Sequence, residues 1–248
     1  MEKRIVGIIP ARYKSSRLPG KPLVLLLGKP MIIWVAEIVA EALGIENTYV
    51  ATDDSRIVET LEKNGFKTVL TSDRHLTGTD RLAEVARKID ADIYINIQGD
   101  EPTLDPGSIM KVIEVKKLFE NEVVNAMTIL SSDEDPASRN IPKVVFTEDL
   151  RMIYMSRLPI PGFKSAENKP DTYYKQVCIY AFNRAELQLY GEMQRKGKVE
   201  QHEDIEILRF LELGIPVRMV EVEGNTYAVD VEEDIPIVER RLKNLHNL

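Results

Sequence analysis

Three basic side chains stand close together near the start of the sequence, where they suit a polyanion. Arg12, Arg17 and Lys21 share a segment with two serines and the break Pro19-Gly20. Backbone N–H groups in such a loop, surrounded by three cations, fit a triphosphate. The alternative is a surface loop that happens to be basic. The spacing matches neither G-x-x-x-x-G-K-[ST] nor G-x-G-x-x-G, which disfavours a P-loop kinase or a dinucleotide enzyme.

The position of this basic loop favours a binding site over a plain surface loop. The apolar run from Ile5 to Ile9 predicts a buried parallel strand, which stops at Pro10 because proline cannot donate to a ladder. Ligands of open α/β sheets bind outside the carboxyl ends of the strands. The basic loop follows such an end directly.

A second polar turn, Gln98-Gly99-Asp100-Glu101-Pro102, follows the apolar segment from Ile93 to Ile97. Its strand should end at the same edge of the sheet, so that Asp100 faces the triphosphate. That arrangement needs a divalent cation between the two negative groups, and Mg²⁺ prefers one or two carboxylates with phosphate oxygens and water. The alternative is a strand-ending turn with solvated acids.

Two further turns carry polar residues. The segment from Thr77 to Arg81 contains Gly78 at the predicted start of a helix, where backbone amides can approach a base or a phosphate. Its alternative role is that of a plain helix cap through Thr79 or Asp80. Asp54, after the strand ending at Thr52, is expected to cap the next helix.

The elements that position these turns alternate in the first half of the chain. This β-α-β-α order predicts a Rossmann-like α/β fold, with right-handed crossovers and a mostly parallel sheet covered by helices on both faces. Strands are predicted at 5–9, 48–52, 68–71 and 93–97, and helices at 31–43, around 57–61, around 79–89 and at 108–119.

Short strands separated by turns dominate the second half, which predicts a smaller mixed-strand region that closes over the sheet. The polar segment from Lys164 to Thr172 is expected to be a mobile loop. Strands are predicted at 124–129, 143–146, 152–155, 177–182, 217–222 and 227–230, and helices at 205–213 and 232–246. We expect one domain, 1–248, with halves 1–120 and 121–248.

Composition limits the partners. The chain of 248 residues has a net charge of -7, which disfavours binding to bulk nucleic acid and leaves a small anion as the ligand of the basic loop. Its single cysteine, Cys178, excludes an internal disulfide framework and is typical of a reducing compartment. No apolar segment resembles a signal peptide or a membrane span, so a cytoplasmic protein without membrane contact is expected.

Several motifs of the sequence resemble those of a known family. Pro10-Ala11-Arg12, followed by Ser16 to Leu23, is similar to the signature loop of the sugar nucleotidyltransferases, and more narrowly of the 3-deoxy-manno-octulosonate cytidylyltransferases (CMP-Kdo synthetases). The resemblance extends over essentially the whole chain. It implies the nucleotide-diphospho-sugar transferase fold, a nucleotide-binding first half, and a second half that binds a sugar acid and forms a homodimer.

The resemblance also implies roles for individual residues. Asp100 and Asp230 would hold Mg²⁺, and together with Arg12 and Lys21 they would be the catalytic residues. The Thr77–Arg81 turn would contact cytosine, and the amide of Gln98 could read the cytosine or the ribose. The implied nucleotide-binding set is Ala11, Arg12, Arg17, Lys21, Gly78, Thr79, Arg81 and Gln98.

The acceptor pocket departs from the family pattern. The resemblance implies contacts to the sugar acid from Arg157, Gln176, Tyr180 and Glu206. The family usually has Lys-His-x-Gly-x-Tyr where this chain has Lys175-Gln176-Val177-Cys178-Ile179-Tyr180, and it has a glutamine in place of Ile207. The nucleotide half is intact, whereas the acceptor pocket is altered.

The implied reaction is attack by the anomeric hydroxyl of a 3-deoxy-2-ulosonic acid, Kdo first among them, on the α-phosphorus of CTP. It would yield the CMP-sugar and pyrophosphate for lipopolysaccharide-type surface glycans. Two alternatives remain open: transfer to a modified Kdo or a nonulosonate, and a non-catalytic nucleotide-binding regulator on the same fold. The presence of both Asp100 and Asp230 argues against the regulator.

Overall fold

The structure is a computed structural model that describes residues 3–15, 17–223 and 226–247. Eleven strands lie within these ranges: β1 Ile5–Ala11, β2 Leu25–Leu26, β3 Lys29–Pro30, β4 Thr48–Thr52, β5 Lys67–Leu70, β6 Ile93–Ile97, β7 Val123–Ile129, β8 Lys143–Phe146, β9 Met152–Ser156, β10 Tyr174–Phe182 and β11 Val217–Glu221.

Eight α-helices accompany these strands in the described ranges, and short 3₁₀ turns stand at 21–23, 45–47, 166–168 and 232–234. The α-helices are α1 Met31–Leu43, α2 Ser55–Lys63, α3 Gly78–Lys88, α4 Pro106–Leu118, α5 Arg184–Glu192, α6 Lys198–Glu203, α7 Leu208–Glu212 and α8 Ile235–His246. None of the described helices is both long and apolar enough to cross a membrane.

Nine strands form one sheet, with the path β11-β7-β10-β6-β1-β4-β5. The pairings among β6, β1, β4 and β5 are parallel, as the alternating sequence predicted. Strand β10 runs antiparallel to both of its neighbours on this path, β6 and β7, and also pairs with β8, which carries β9. The parallel pairings of this sheet therefore lie in the first half and between β11 and β7, and its antiparallel pairings all involve the second half.

Helices cover both faces of the sheet, as expected. One apolar cluster joins α1, α2 and α4 to side chains such as Ile9, Ile95 and Ile97. The opposite cluster joins α3, α5 and α7 to Ile8, Tyr94 and Phe182. Alternate residues of β1 and β6 thus feed opposite faces, which is why these strands are apolar throughout.

A third, smaller cluster fixes the C-terminal helix. Val238 and Leu242 of α8 pack with Met31 and Trp34 of α1, and the β2–β3 hairpin contributes Leu26. The hairpin is joined to α8 by a further contact, in which Leu27 N donates to Glu239 Oε1 at 2.8 Å. Helix α8 is thereby held beside the loop that follows β1, from which Leu18 packs against the same cluster.

Several sequence expectations need correction. β1 continues through Pro10 and Ala11, because both residues keep their parallel register with Ala51 and Thr52. The predicted strand at 227–230 is irregular in its structure: Tyr227 N donates to Thr103 Oγ1, and Val229 N donates to the carbonyl of Asp100. Helix α5 and the β2–β3 hairpin were not predicted, and the predicted helix at 205–213 is shorter than expected, since it is confined to α7 and preceded by the separate helix α6.

Candidate active site

Lys21 lies between the two carboxylates that the sequence singled out. Its Nζ is 2.7 Å from Asp100 Oδ2 and 2.9 Å from Asp230 Oδ1. Arg17 reaches the same oxygen of Asp230 at 3.0 Å. The basic loop and both predicted metal ligands therefore meet at one point, at the carboxyl end of β6.

The charges at this point stabilise one another. Burial on its own would lower the pKa of Lys21, but the neighbouring carboxylates of Asp100 and Asp230 outweigh it and raise that pKa above its usual value. Burial likewise opposes ionisation of Asp230, whereas Lys21 and Arg17 hold its pKa below the usual range. Lys21 and Asp230 thus each favour the charged form of the other.

Backbone geometry brings these side chains together. Gly20 has φ +70°, a left-handed conformation that glycine adopts at low cost, and it opens the short 3₁₀ turn that begins at Lys21. On the other side, Asp234 Oδ2 accepts from the backbone N–H of Asp230 at 2.7 Å and of Val231 at 3.0 Å. Asp234 therefore holds the segment that carries Asp230.

A cavity of about 130 Å³ opens between the end of β1 and the start of α3. Five of the eight residues that were predicted to bind the nucleotide line this cavity. Its lining residues are Pro10, Ala11, Arg12, His75, Leu76, Thr77, Gly78, Arg81 and Gln98.

The start of α3 forms one wall of this cavity. The N-cap of α3 is Thr77, which forms a reciprocal capping box with Asp80, so a helix cap is present but through Thr77 rather than the expected Thr79 or Asp80. Gly78 also permits a close approach, because a Cβ there would lie 3.1 Å from both Gln98 Nε2 and Pro10 Cγ. The turn is therefore a helix cap and a cavity wall at the same time.

Arg81 is positioned by two groups from neighbouring strands. Its guanidinium donates to Asp53 Oδ1 at 2.9 Å and to the hydroxyl of Thr71. Burial is the main reason that the pKa of Arg81 lies below its usual value, and Asp53 opposes that shift. Asp54 caps α2 by accepting from Arg56 N, as expected. The adjacent Asp53 positions Arg81.

His75 was not singled out in the sequence, although it stands two residues before Thr77. Its Nε2 lies 2.6 Å from Glu84 Oε2, and its side chain lines the cavity. Glu84 also accepts from Ser72 N and Lys88 Nζ. Burial opposes ionisation of Glu84, but these donors prevail and lower its pKa to about 2.

A buried ionic network ties the start of α3 to the second half of the chain. Arg209 is completely buried; its Nε and NH2 donate to the two oxygens of Glu200 at 2.6 and 2.7 Å, and its NH1 donates to Asp80 Oδ1 at 2.7 Å. Burial would lower the pKa of Arg209, but its hydrogen bonds to Glu200 and Asp80 raise it. These contacts hold Asp80 in place and so stabilise the capping box at the start of α3.

Glu206 contacts the cavity residues rather than standing apart in a separate pocket. Its Oε1 accepts from Gln98 Nε2 at 2.9 Å, and its Oε2 accepts from Thr79 N at 3.0 Å. Burial raises the pKa of Glu206, and the Thr79 donor opposes the rise. Its predicted contact with a sugar acid stays a prediction.

Arg157 donates chiefly to backbone carbonyls. Its Nε, NH1 and NH2 bond the carbonyl oxygens of Glu203, Arg139 and Asp204, and its backbone N donates to Glu203 Oε2. The guanidinium has five N–H donors, so two remain without a partner among the described residues. A carboxylate ligand would have to use those two.

A β-bulge shapes the remaining acceptor residues. The register between β10 and β7 shifts between Val177 and Tyr180. Asn125 Nδ2 donates to the carbonyls of Val177 and Ile179, and Gln176 Nε2 donates to Asn125 Oδ1. Tyr180 and Ile207 are both buried, and both belong to the apolar cluster that includes α7.

Cys178 and Glu101 lie next to the Asp100 turn. Burial raises the pKa of the Cys178 thiol well above its usual value, which agrees with a structural rather than a nucleophilic cysteine. Burial, assisted by Asp100, also raises the pKa of Glu101 to about 7. Glu101 Oε2 has no hydrogen-bond partner within the described ranges.

Comparison with known proteins decides the family. The family model described as cytidylyltransferase matches residues 6–221. The chain belongs to the cytidylyltransferase family. Within that family it is 40% identical to the 3-deoxy-manno-octulosonate cytidylyltransferase of Trichlorobacter lovleyi, over 97% of this chain and 99% of that protein. It is equally 40% identical to the Escherichia coli protein of the same name, over 93% and 92%.

Solved cytidylyltransferase structures agree with this assignment. A CMP:2-keto-3-deoxy-manno-octonic acid synthetase complexed with CTP superposes with a TM-score of 0.89 at 38% identity, over 99% of this chain and 100% of that one. The inositol-1-phosphate CTP transferase of T. maritima has a TM-score of 0.69 at 16% identity, which shows the fold alone. The resemblance read from Pro10-Ala11-Arg12 and the later motifs is therefore confirmed.

Proposed function

We propose that this cytidylyltransferase couples CTP to a 3-deoxy-2-ulosonic acid, with Kdo as the first candidate, and releases pyrophosphate. The observation that carries the proposal is the convergence of Asp100, Asp230, Lys21 and Arg17 beside a cavity lined by Gly78 and Gln98. Relatives that are 38–40% identical over nearly the whole chain bear the corresponding names. Lipopolysaccharide-type glycan synthesis follows as the proposed role.

The two carboxylates suit a divalent cation. Both bond one ammonium nitrogen, so two anionic oxygens already converge on a single cationic point. Among the described residues no group of three or more metal-binding side chains exists, which fits Mg²⁺ because that ion takes one or two carboxylates and completes its shell with phosphate and water. Asp100 and Asp230 would hold Mg²⁺, which supplies charge neutralisation at the phosphates and a lower pKa of the attacking hydroxyl.

The basic residues of the loop act on the triphosphate. Lys21 can leave the carboxylates for the phosphates when a metal replaces its charge between Asp100 and Asp230. Lys21, Arg12 and Arg17 then stabilise the negative charge that develops on the leaving pyrophosphate. Positioning of the reactants and electrostatic stabilisation of the transition state together supply most of the catalysis in phosphoryl transfer.

The acceptor half supplies the second substrate. Arg157 has two N–H donors without a partner in the described part of the chain, and these would bind a carboxylate, while Gln176, Tyr180 and Glu206 complete the proposed contacts with the sugar acid. The departures at Gln176 and Ile207 make a related acid, such as a modified Kdo or a nonulosonate, the second candidate acceptor. Halves 1–120 and 121–248 would thus bind the nucleotide and the sugar acid respectively.

We further propose a cytoplasmic homodimer. The β8–β9 arm supports it, since Ile153 on β9 and Leu158 just beyond it are each 58% exposed. Large apolar side chains grouped on one arm are typical of an interface. Light scattering on the purified chain would measure its oligomeric state, and a monomer would contradict this part of the proposal.

A panel of substrates tests the activity. CTP, UTP, ATP and GTP are each combined with Kdo, an 8-modified Kdo or a nonulosonate in the presence of Mg²⁺, and pyrophosphate release is measured. We expect turnover with CTP and a 2-keto sugar acid and little with the other triphosphates. CTP binding without turnover of any acid would favour the regulator, whereas equal use of UTP would contradict cytidylyl specificity.

A further inference from the structure

The carboxylate of Glu206 has a fixed orientation beside the base cavity. One of its oxygens accepts from Gln98 Nε2 at 2.9 Å, and the other accepts from the backbone N–H of Thr79 at 3.0 Å. Glu206 itself does not line the cavity, whereas Gln98 does. Any effect of Glu206 on a bound base is therefore transmitted through Gln98 or the Thr79 turn.

This contact decides which end of the Gln98 amide is free. Both oxygens of Glu206 accept hydrogen bonds, one from Thr79 N and the other from Gln98 Nε2, so the amide nitrogen of Gln98 faces Glu206. The opposite orientation would exchange this donor for a carbonyl oxygen and place two oxygens 2.9 Å apart. The carbonyl Oε1 of Gln98 is consequently the end without a donor among the described residues, and it is available to the cavity.

A free acceptor in this position distinguishes pyrimidines. Cytosine carries a 4-amino group, which donates, and uracil carries a 4-oxo group, which only accepts. An amide held with its oxygen towards the base would bond the amino group and repel the oxo group. If the amide could turn over, its NH₂ would suit uracil equally well.

We propose that Glu206 is a positioning residue for nucleobase selection, because it locks Gln98 with its carbonyl oxygen towards the base. This inference rests on the proposed function and adds the reason why CTP is chosen over UTP. It assigns Glu206 a role at the nucleotide, in addition to any contact with the acceptor.

The substitution Glu206→Gln tests the lock. The new amide can donate to Gln98 Oε1 and so permits the turned-over orientation, while its carbonyl still accepts from Thr79 N. Dissociation constants for CTP and UTP are measured without any sugar acid, which separates this role from an acceptor contact. We expect the preference for CTP over UTP to fall about tenfold, the size of one lost discriminating hydrogen bond.

A matched control uses Glu212, a carboxylate at the C-terminal end of α7. Glu212 accepts from Val199 N and Glu200 N and does not contact Gln98. Glu212→Gln should leave the CTP-to-UTP ratio unchanged. The same loss of preference in both variants would overturn the proposal, since it would reflect a general loosening of α7.

A second variant covers the case in which Glu206→Gln folds poorly. Gln98→Met removes the amide and keeps the side-chain length, and it should lose the preference to the same extent. Because Glu206 acts through Gln98, the double variant should discriminate no worse than Gln98→Met alone. Losses of preference that multiply in the double variant would overturn the inference. The inference would also be overturned if Glu206→Gln left the CTP-to-UTP ratio unchanged and raised the KM for the sugar acid. A wild-type protein without any preference for CTP would instead contradict the proposed function.

Discussion

Asp100 and Asp230 are far apart in the sequence, yet one oxygen of each bonds the same nitrogen, Lys21 Nζ, at 2.7 and 2.9 Å. Their segments are also joined through the backbone, because Val229 N donates to the carbonyl of Asp100 at 2.9 Å. A pair of anionic oxygens is thus held in place before any metal or nucleotide arrives.

Replacing either carboxylate should abolish most of the activity. Asp100→Asn and Asp230→Asn each remove a charged ligand for Mg²⁺, so we expect turnover to fall by orders of magnitude while the far-UV circular dichroism spectrum is retained. The control is Glu233→Gln, which neutralises an exposed acid nearby. Near-normal activity of either aspartate variant at modest Mg²⁺ would show that its assigned role is wrong.

Lys21 should compete with Mg²⁺ in the absence of nucleotide. Lys21→Met leaves Asp100 without its cation and Asp230 with Arg17 alone, so we expect lower thermal stability in EDTA and a larger rise in Tm on addition of Mg²⁺ than in the wild type. Lys29→Met, which removes an exposed ion pair with Glu37, serves as the control. Equal Mg²⁺ responses of the Lys21 variant and the wild type would contradict competition.

Removal of Arg209 should destabilise the protein strongly. Arg209→Met leaves Glu200 and Asp80 buried without their cation, which costs about 3–5 kcal/mol of unfolding free energy. Urea unfolding measures this loss. Arg184→Met breaks the exposed pair with Asp90 and should cost about 1 kcal/mol or less; similar losses in the two variants would show that the buried network contributes little.

Acid should destabilise the protein partly through Glu84. Its pKa is about 2 in the folded protein against 4.5 for an ordinary glutamate. A carboxyl with a depressed folded pKa stabilises the protein above its unfolded pKa, and that contribution disappears as the pH falls through the folded pKa. Unfolding free energies measured between pH 5 and about 2 should therefore depend less steeply on pH in Glu84→Gln than in the wild type. Glu59→Gln, on an exposed position of α2, should keep the wild-type slope.

The departures in the acceptor pocket predict a shift in substrate preference. We expect Kdo to be accepted, and a related acid to be turned over as well or better. Gln176→His combined with Ile207→Gln should raise the ratio of kcat/KM for Kdo to that for the best alternative acid. Ile207 is 1% exposed, so Tm must be measured alongside, since a buried amide without a partner costs roughly 1–3 kcal/mol. If Kdo is already the best acid and the ratio does not move, the altered-pocket hypothesis fails.

The sequence predicted the elements whose pattern is local. Helix α1 and strand β8 have the predicted ends, because an apolar stripe and a short β-branched run are properties of the segment itself. Helix α5 escaped prediction since it is short and its buried face carries the charge of Glu186. Burial of that carboxylate depends on Lys116, a partner 70 residues away that no local pattern reveals.

The candidate site shows the same division. The family motifs located Lys21, Asp100 and Asp230, but not the contacts between them. The contact of Glu206 with Gln98 joins positions 108 residues apart in the sequence, and Asp53, just beyond the end of β4, accepts from Arg81 on helix α3. Pairings of this kind follow from the crossing of strands and helices, which periodicity does not encode.

The place of β10 in the sheet has a consequence for how the chain is synthesised. β7 leaves the ribosome before β10, yet it does not pair with β6; β10 later enters the space between them. Until Phe182 has been translated, β6 and β7 both present open edges, and such edges invite pairing with other nascent chains. Slow translation between residues 129 and 174 should therefore favour aggregation, and a chaperone that shields strand edges should act on this protein within that interval.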